Sequence, residues 1–377
     1  MIEHKRADCP ETAKQPENTQ VNLNKHQATE EGLDPALKVV SKTILKAVVV
    51  LCLVLSAAFL AAAQVDGELV AKRRVYAPIG PGLRAVRHGA DGKFYVLASP
   101  NPGLIVFSPD GKKLLTMRES AGLQPAALEE LRKSGEVLTQ FGEDCDVDAD
   151  GTIYVADRGA NAIQVYAKEG RNLKTIPVNA PVSVAALSDG EVAVATFRDP
   201  SLVVVFDKNG RRIREFGDMD TLTERSELNR FLNVGVLAAD DHGHVYYGYN
   251  YFPEPTVKQF DGFGYAQQEV RYTALDAQPA AQALRREIEK QERKGDPPIF
   301  KRILTAIGVD RETGEVWMAM GDTLLRFDKD GNRRATYLIY TPDNSRLEAN
   351  VILVLKDRLI IGGDPIGIYE FDRPEAH

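Results

Sequence analysis

The chain has 377 residues, enough for one large domain or two ordinary ones built on a substantial core. Its 47 basic and 54 acidic residues leave a net charge of −7, which argues against a nucleic-acid binder working by phosphate neutralisation. An apolar fraction of 44% and a charged fraction of 27% are ordinary for a globular protein, and three cysteines cannot make a disulfide scaffold.

Residues 1–38 are polar, mixed in charge and without hydrophobic period, so they read as a disordered arm. Lys38, Lys42 and Lys46 then lead into 17 uncharged residues, Ala47 to Ala63. Residues 39–65 are therefore an export segment in one of two forms. As a signal peptide, Ala61-Ala62-Ala63 supplies the small residues of a cleavage site. As an uncleaved anchor, the lysines hold the N-terminus in the cytoplasm, and the run is at the short end for crossing about 30 Å of hydrocarbon. The arm ahead is long for a signal peptide, an objection that a start site placed too far upstream removes. On either form, residues 66–377 are expected outside the cytoplasm, periplasmic or extracellular, or anchored to the membrane through residues 47–63. Cys145 is the one cysteine of that part, and a small buried apolar role suits it.

Residues 66–377 carry a recurring phrase: strand, tight turn, alternating strand, break, strand, second turn. The first turn is Asp91-Gly92, Asp150-Gly151, Asp189-Gly190, His242-Gly243, Thr313-Gly314 and Lys356-Asp357. The second is Asp110-Gly111, Glu169-Gly170, Asn209-Gly210, Asp261-Gly262, Asp330-Gly331 and Asp372-Arg373. The two turns lie 19, 19, 20, 19, 17 and 16 residues apart, an agreement that independent loops would not show. Between them run β-branched and aromatic stretches such as FYVLA, IYVAD and VWMAM. A sheet of four such strands exposes two faces and two edges and must stack on its neighbours; radial stacking gives a propeller. The fold class is therefore all-β, a six-bladed β-propeller of four-stranded antiparallel blades. The last unit has no room for a fourth strand, so Leu69 to Ala77 is expected to complete blade six and close the ring.

Within this pattern Asp150-Gly-Thr-Ile-Tyr-Val-Ala-Asp157, followed by Asn161-Ala-Ile-Gln-Val-Tyr166, resembles the NHL repeat. That resemblance implies a six-bladed propeller and leaves function open, because propellers of this kind include lyases, lactonase relatives, sensor domains and interaction modules.

The connections between units vary in length while the turns stay tight, and the extra length falls at 118–143, 217–232 and 271–303. Long loops on a rigid scaffold are where binding concentrates, so the top face, from which they emerge, is the candidate site. Two insertions there read as short helices, Pro125 to Lys133 and Pro279 to Lys294, the second either a solvated helix or a lid over the channel. The inner strand of unit two, Gly142-Glu-Asp-Cys-Asp-Val-Asp148, faces Arg84, Arg87 and His88 of unit one. Strict alternation puts Glu143 and Cys145 on one face and Asp144 and Asp146 on the other. These charges either bind a ligand in the channel or join blades one and two as an ion-pair network. The breaks after the second strands add Arg158, Arg198, Tyr249, Asn250 and Tyr251, aromatics suited to stacking on a sugar or peptide. Candidate ligand-binding residues are thus Arg84, Arg87, Glu143, Asp144, Asp146, Arg158, Arg198, Tyr249, Asn250 and Tyr251. Asp157 is assigned to its turn.

No nucleophile elbow, P-loop or H-E-x-x-H motif occurs, and His88, His242, His244 and His377 are scattered, which does not support a three-histidine zinc site. Two functions remain. The first is a non-catalytic exported propeller that binds a protein, peptide or carbohydrate with its top face, without a cofactor and without nucleic acid. The second is a lactonase-like hydrolase or lyase with Ca²⁺ or Zn²⁺ in the channel, held by oxygens of Glu143, Asp146, Asn233 and Asn350.

Overall fold

The computed structural model describes residues 65–377 apart from 81, 101, 121–122, 135–138, 275–276, 296–297 and 376–377. The arm 1–38 and the apolar run 47–63 lie outside the described residues. No helix among the described residues is long and apolar enough to cross a membrane.

Two short strands come first, β1 (Gly67–Val70) and β2 (Arg73–Val75). Blade one is β3 (Leu83–His88), β4 (Phe94–Ala98), β5 (Gly103–Phe107) and β6 (Lys113–Met117). Blade two is β7 (Gly142–Val147), β8 (Ile153–Asp157), β9 (Ala162–Tyr166) and β10 (Asn172–Pro177). Blade three is β11 (Pro181–Ala186), β12 (Val192–Thr196), β13 (Ser201–Phe206) and β14 (Arg212–Asp218). Blade four is β15 (Gly235–Ala239), β16 (Val245–Tyr249), β17 (Thr256–Phe260) and β18 (Ala266–Arg271). Blade five is β19 (Ala306–Val309), β20 (Val316–Met320), β21 (Thr323–Phe327) and β22 (Arg333–Tyr340). Blade six has β23 (Glu348–Val354), β24 (Arg358–Asp364) and β25 (Gly367–Asp372). Each blade is an antiparallel meander in sequence order, and the first strands β3, β7, β11, β15, β19 and β23 touch in succession, with β23 back against β3. The ring is closed and six-bladed.

One sheet alone cannot bury both faces, and the apolar clusters show where the burial occurs. Each of six clusters is drawn mainly from two neighbouring blades: Leu97 of blade one packs with Val155 of blade two, and Trp317 of blade five with Ile361 of blade six. The core is therefore six interfaces between blades, and the repeat period in the sequence is the period of those interfaces.

Closure uses two strands. β2 pairs antiparallel with β25, Arg73 to Val75 against Glu370 to Ile368, as the fourth strand of blade six. β1 instead runs parallel to β22 and makes a fifth strand on blade five, so the stretch Leu69–Ala77 is divided between two blades. The C-terminus adds a polar lock: Arg373 Nη2 reaches Glu315 Oε1 at 3.0 Å and also bonds Asp310, and Glu315 accepts from Arg326 and Trp317.

The blade-four second turn departs from the predicted register. Its left-handed glycine is Gly264 (φ +95°), not Gly262, and its N–H bonds the Asp261 carbonyl. A side chain at 264 would meet the Phe216 ring at 2.5 Å, so both backbone and space require glycine.

Among the described residues, three α-helices lie in the connections between blades: α1 (Pro125–Ser134), α2 (Ser226–Leu232) and α3 (Gln278–Lys294), the last stopped by left-handed Gly295. α2 escapes the sequence pattern because seven residues hold too little periodicity. Packing holds it: Leu228 and Leu232 bury against Leu284 and Ile288 of α3, and Arg225 donates to the Gln291 carbonyl near the end of α3.

Candidate functional site

The inner strands surround a channel whose upper mouth opens into a cavity of about 510 Å³. Its walls come from the starts of the inner strands, the residues just after several second strands, and the insertions carrying α2 and α3. The elaborated segments and the channel mouth therefore share the top rim. A smaller space of about 60 Å³ lies below, and Arg87 borders both.

A local irregularity repeated around the ring aims the cavity's side chains. β-bulges fall at Arg84 in β3, Glu143 in β7, Val182 in β11 and Asn350 in β23, where the register steps past one residue. All four line the cavity. A bulge inserts an unpaired residue and re-aims its side chain, so Glu143 leaves the strict alternation and lies on the cavity wall together with Asp144. The residues just after β8, β12 and β16, namely Arg158, Phe197 and Asn250, complete a second tier.

On the rim, Glu143 accepts from Arg158 Nη1 at 3.0 Å and lies 3.4 Å from Arg84 Nη1. Arg84 also lies over the Phe141 ring at 5.4 Å, and its Nε is buried without a hydrogen-bond partner. On the floor, Arg87 Nη2 donates to Asp144 Oδ1 at 2.8 Å, and its Nε lies 3.6 Å from Asp146. Asp144 Oδ1 also accepts the Cys145 N–H, and Oδ2 accepts the Ser183 hydroxyl and the Val184 N–H. Ser183 Oγ accepts the Leu237 N–H at 2.9 Å, so one polar chain links blades one to four. Burial alone lowers the Arg87 pKa, but Asp144 and Asp146 outweigh it and hold the guanidinium firmly protonated. Burial pushes the Asp144 carboxyl up against the pull of Arg87 and its hydrogen-bond donors. The opposite wall is aromatic: Phe231 of α2 meets Tyr251 at 4.7 Å and Phe197 at 6.4 Å between ring centroids.

Seven of the sequence candidates meet at this cavity: Arg84, Arg87, Glu143, Asp144, Arg158, Asn250 and Tyr251. Asn250 holds the architecture as well, donating to the Leu304 carbonyl at 3.0 Å. Asp146 faces the lower channel, where its Oδ2 accepts the Ala186 N–H. Arg198 is exposed and lies over its neighbour Phe197 rather than on the cavity wall. Tyr249 is a correction: it is fully buried between blades three and four, stacked on Phe252 at 3.8 Å, because alternation in β16 turns it inward. Asp157 holds its turn through the Ala160 N–H and ties it to the segment entering β7 by accepting the N–H groups of Gln140 and Phe141. Phe197, Phe231 and Arg302 also line the cavity and were not among the candidates; only the bulge and loop geometry brings them there.

The four oxygen donors considered for a metal do not converge. Glu143 is engaged by two guanidinium groups, and Asp146 lies on the lower channel. Asn233 closes the end of α2, its Oδ1 taking the Asp220 N–H and its amide donating to the Asp220 and Asn229 carbonyls. Asn350 reaches the cavity from blade six. Among the described residues, no group of three or more His, Cys, Asp or Glu side chains is placed to hold a metal ion.

No protein-family model matches the chain, and no curated protein is similar to it in sequence. Among solved structures the fold is similar to a gluconolactonase from Xanthomonas campestris, with TM-score 0.50 and 14% identity over 80% of this chain and 89% of that one. It is similar also to the WD40 repeats of RRP9, with TM-score 0.50 and 11% identity over 79% of this chain and 96% of that one. A streptogramin B lyase aligns over 79% of this chain and 85% of its own, at TM-score 0.47 and 13% identity. At these identities the likeness is one of fold: the chain is a six-bladed β-propeller.

Proposed function

We propose that the protein is an exported ligand-binding propeller, of the NHL type by its second repeat, that takes a small molecule or a short chain segment into its top-face cavity. The cavity itself carries this reading. About 510 Å³ is the size of a small-molecule site, it is concave and partly apolar, and it sits where four bulges and two insertions converge. A binding role is favoured over a hydrolytic one because Glu143, the carboxylate best placed at the mouth, already faces two guanidinium groups. Export rests on the apolar run Ala47 to Ala63 after its three lysines.

The test is a thermal-shift screen of a small-molecule library on the full chain and on Val182→Trp, which fills the cavity from its wall. A ligand of this site raises the melting temperature of the wild type and leaves the variant unmoved. A library in which no compound separates the two proteins would retire the reading. A reporter active only outside the cytoplasm, fused after residue 65, tests export directly.

A further inference from the structure

We infer that the top-face cavity is an anion site, taking a small molecule with a carboxylate or phosphate group on an aromatic or apolar body. The inference rests on reading the cavity as a ligand site and names what that ligand must carry. Four guanidinium groups line the cavity, those of Arg84, Arg87, Arg158 and Arg302, against two carboxylates, Glu143 and Asp144. Arg87 and Asp144 neutralise one another on the floor. Of the other three guanidinium groups, Arg84 and Arg158 share Glu143 and Arg302 has no carboxylate partner among the described residues, so the wall is positive in a chain whose net charge is −7.

Those three are poorly satisfied by the protein. Arg302 has no hydrogen bond or ion pair among the described residues. Arg158 is half-exposed, with one bond to Glu143, and Arg84 reaches Glu143 only at 3.4 Å. A guanidinium presents five N–H donors in a planar fork that matches the oxygens of a carboxylate or phosphate. Charge on one wall faces Phe197, Phe231 and Tyr251 on the other, so a ligand with an anionic end and a ring satisfies both. Glu143 is then a resident competitor for the same donors. Its removal must strengthen an anion and weaken a metal or a cationic ligand, and the sign separates the possibilities.

The experiment is calorimetric titration of the full chain with phenyl phosphate, phenylacetate and, as the neutral control, benzyl alcohol. At least one of the two anions is expected to bind about tenfold or more tightly than the alcohol, and to weaken as salt is raised. Arg158→Ala and Arg302→Ala each weaken that anion about three- to tenfold, and Glu143→Gln strengthens it by a similar factor. Both arginines are exposed, so these variants fold; Arg158→Gln and Arg302→Gln, which keep the stem, replace any alanine variant that melts early. Equal affinity for alcohol and anions, or weaker anion binding by Glu143→Gln, overturns the anion assignment and leaves the cavity a ligand site. Failure of both anions while other compounds still separate the wild type from Val182→Trp does the same. If no compound separates them, both readings fall together.

Discussion

Glu143 and Asp144 are adjacent in the chain and line the same cavity, but they differ in how many donors hold them. Asp144 is 5% exposed, and its two oxygens accept from Arg87, Cys145, Ser183 and Val184, groups on three blades. Glu143 stands on a bulge at the mouth, and among the described residues its partners are Arg84 and Arg158, one at long range and the other half-exposed. The regular positions Arg87 and Asp144 join the blades at the cavity floor, and the bulge positions Arg84 and Glu143 stand at its mouth. Charge density in the sequence is the same in both places. The two side chains are nearly equally buried, 12% and 7% exposed, so the number of donors and the exposure of their partners make one carboxylate a structural joint and leave the other available for exchange.

Replacing the joint should have the largest effect. Asp144→Ala leaves Arg87 without its closest partner and strands the Ser183 hydroxyl; it is expected to cost about 3 kcal/mol, read from the denaturation midpoint. A loss below about 1 kcal/mol would place Asp144 among the exchangeable carboxylates and end the contrast. Ser183→Ala cuts the same polar chain farther on, at the Leu237 N–H, and is expected to cost about 1–2 kcal/mol by the same measurement. Glu143→Gln is the smallest change, under about 1 kcal/mol, because the pair it breaks is partly solvated.

The C-terminal lock sharpens the contrast through pH. Burial would raise the Asp310 carboxyl, but Arg373 and the Thr313 N–H overcome it and hold the pKa below the ordinary value. A depressed folded-state pKa contributes stability that is complete above the unfolded pKa, near 4, and lost as pH falls through the folded value. Arg373→Ala should therefore destabilise the protein at neutral pH and lose most of that effect in acid. A penalty unchanged between neutral and acidic pH would show that the lock acts through packing alone.

Much of the architecture could be read from the chain. The Asp-Gly turns, their even spacing and the apolar stretches between them specify six strand clusters, because a tight turn and a half-buried strand each demand particular residues locally. The same local logic places α1 and α3 but not α2, whose seven residues are helical because Leu228 and Leu232 have α3 to pack against. It places Asp144 and Arg87 together across neighbouring blades. It fails for Tyr249, since an aromatic at the end of a strand reads the same whether it turns to the rim or into the interface.

What the sequence by itself determined was the repeat: how many blades, which strands are innermost, and which rim carries the long connections. Which inner-strand side chains reach the cavity was decided only in three dimensions, since a bulge depends on how two strands pair and leaves no signature in either alone. The aromatic wall has the same origin. Phe197, Phe231 and Tyr251 are spread over 55 residues of sequence and become neighbours only when blades three and four bring their loops to one mouth.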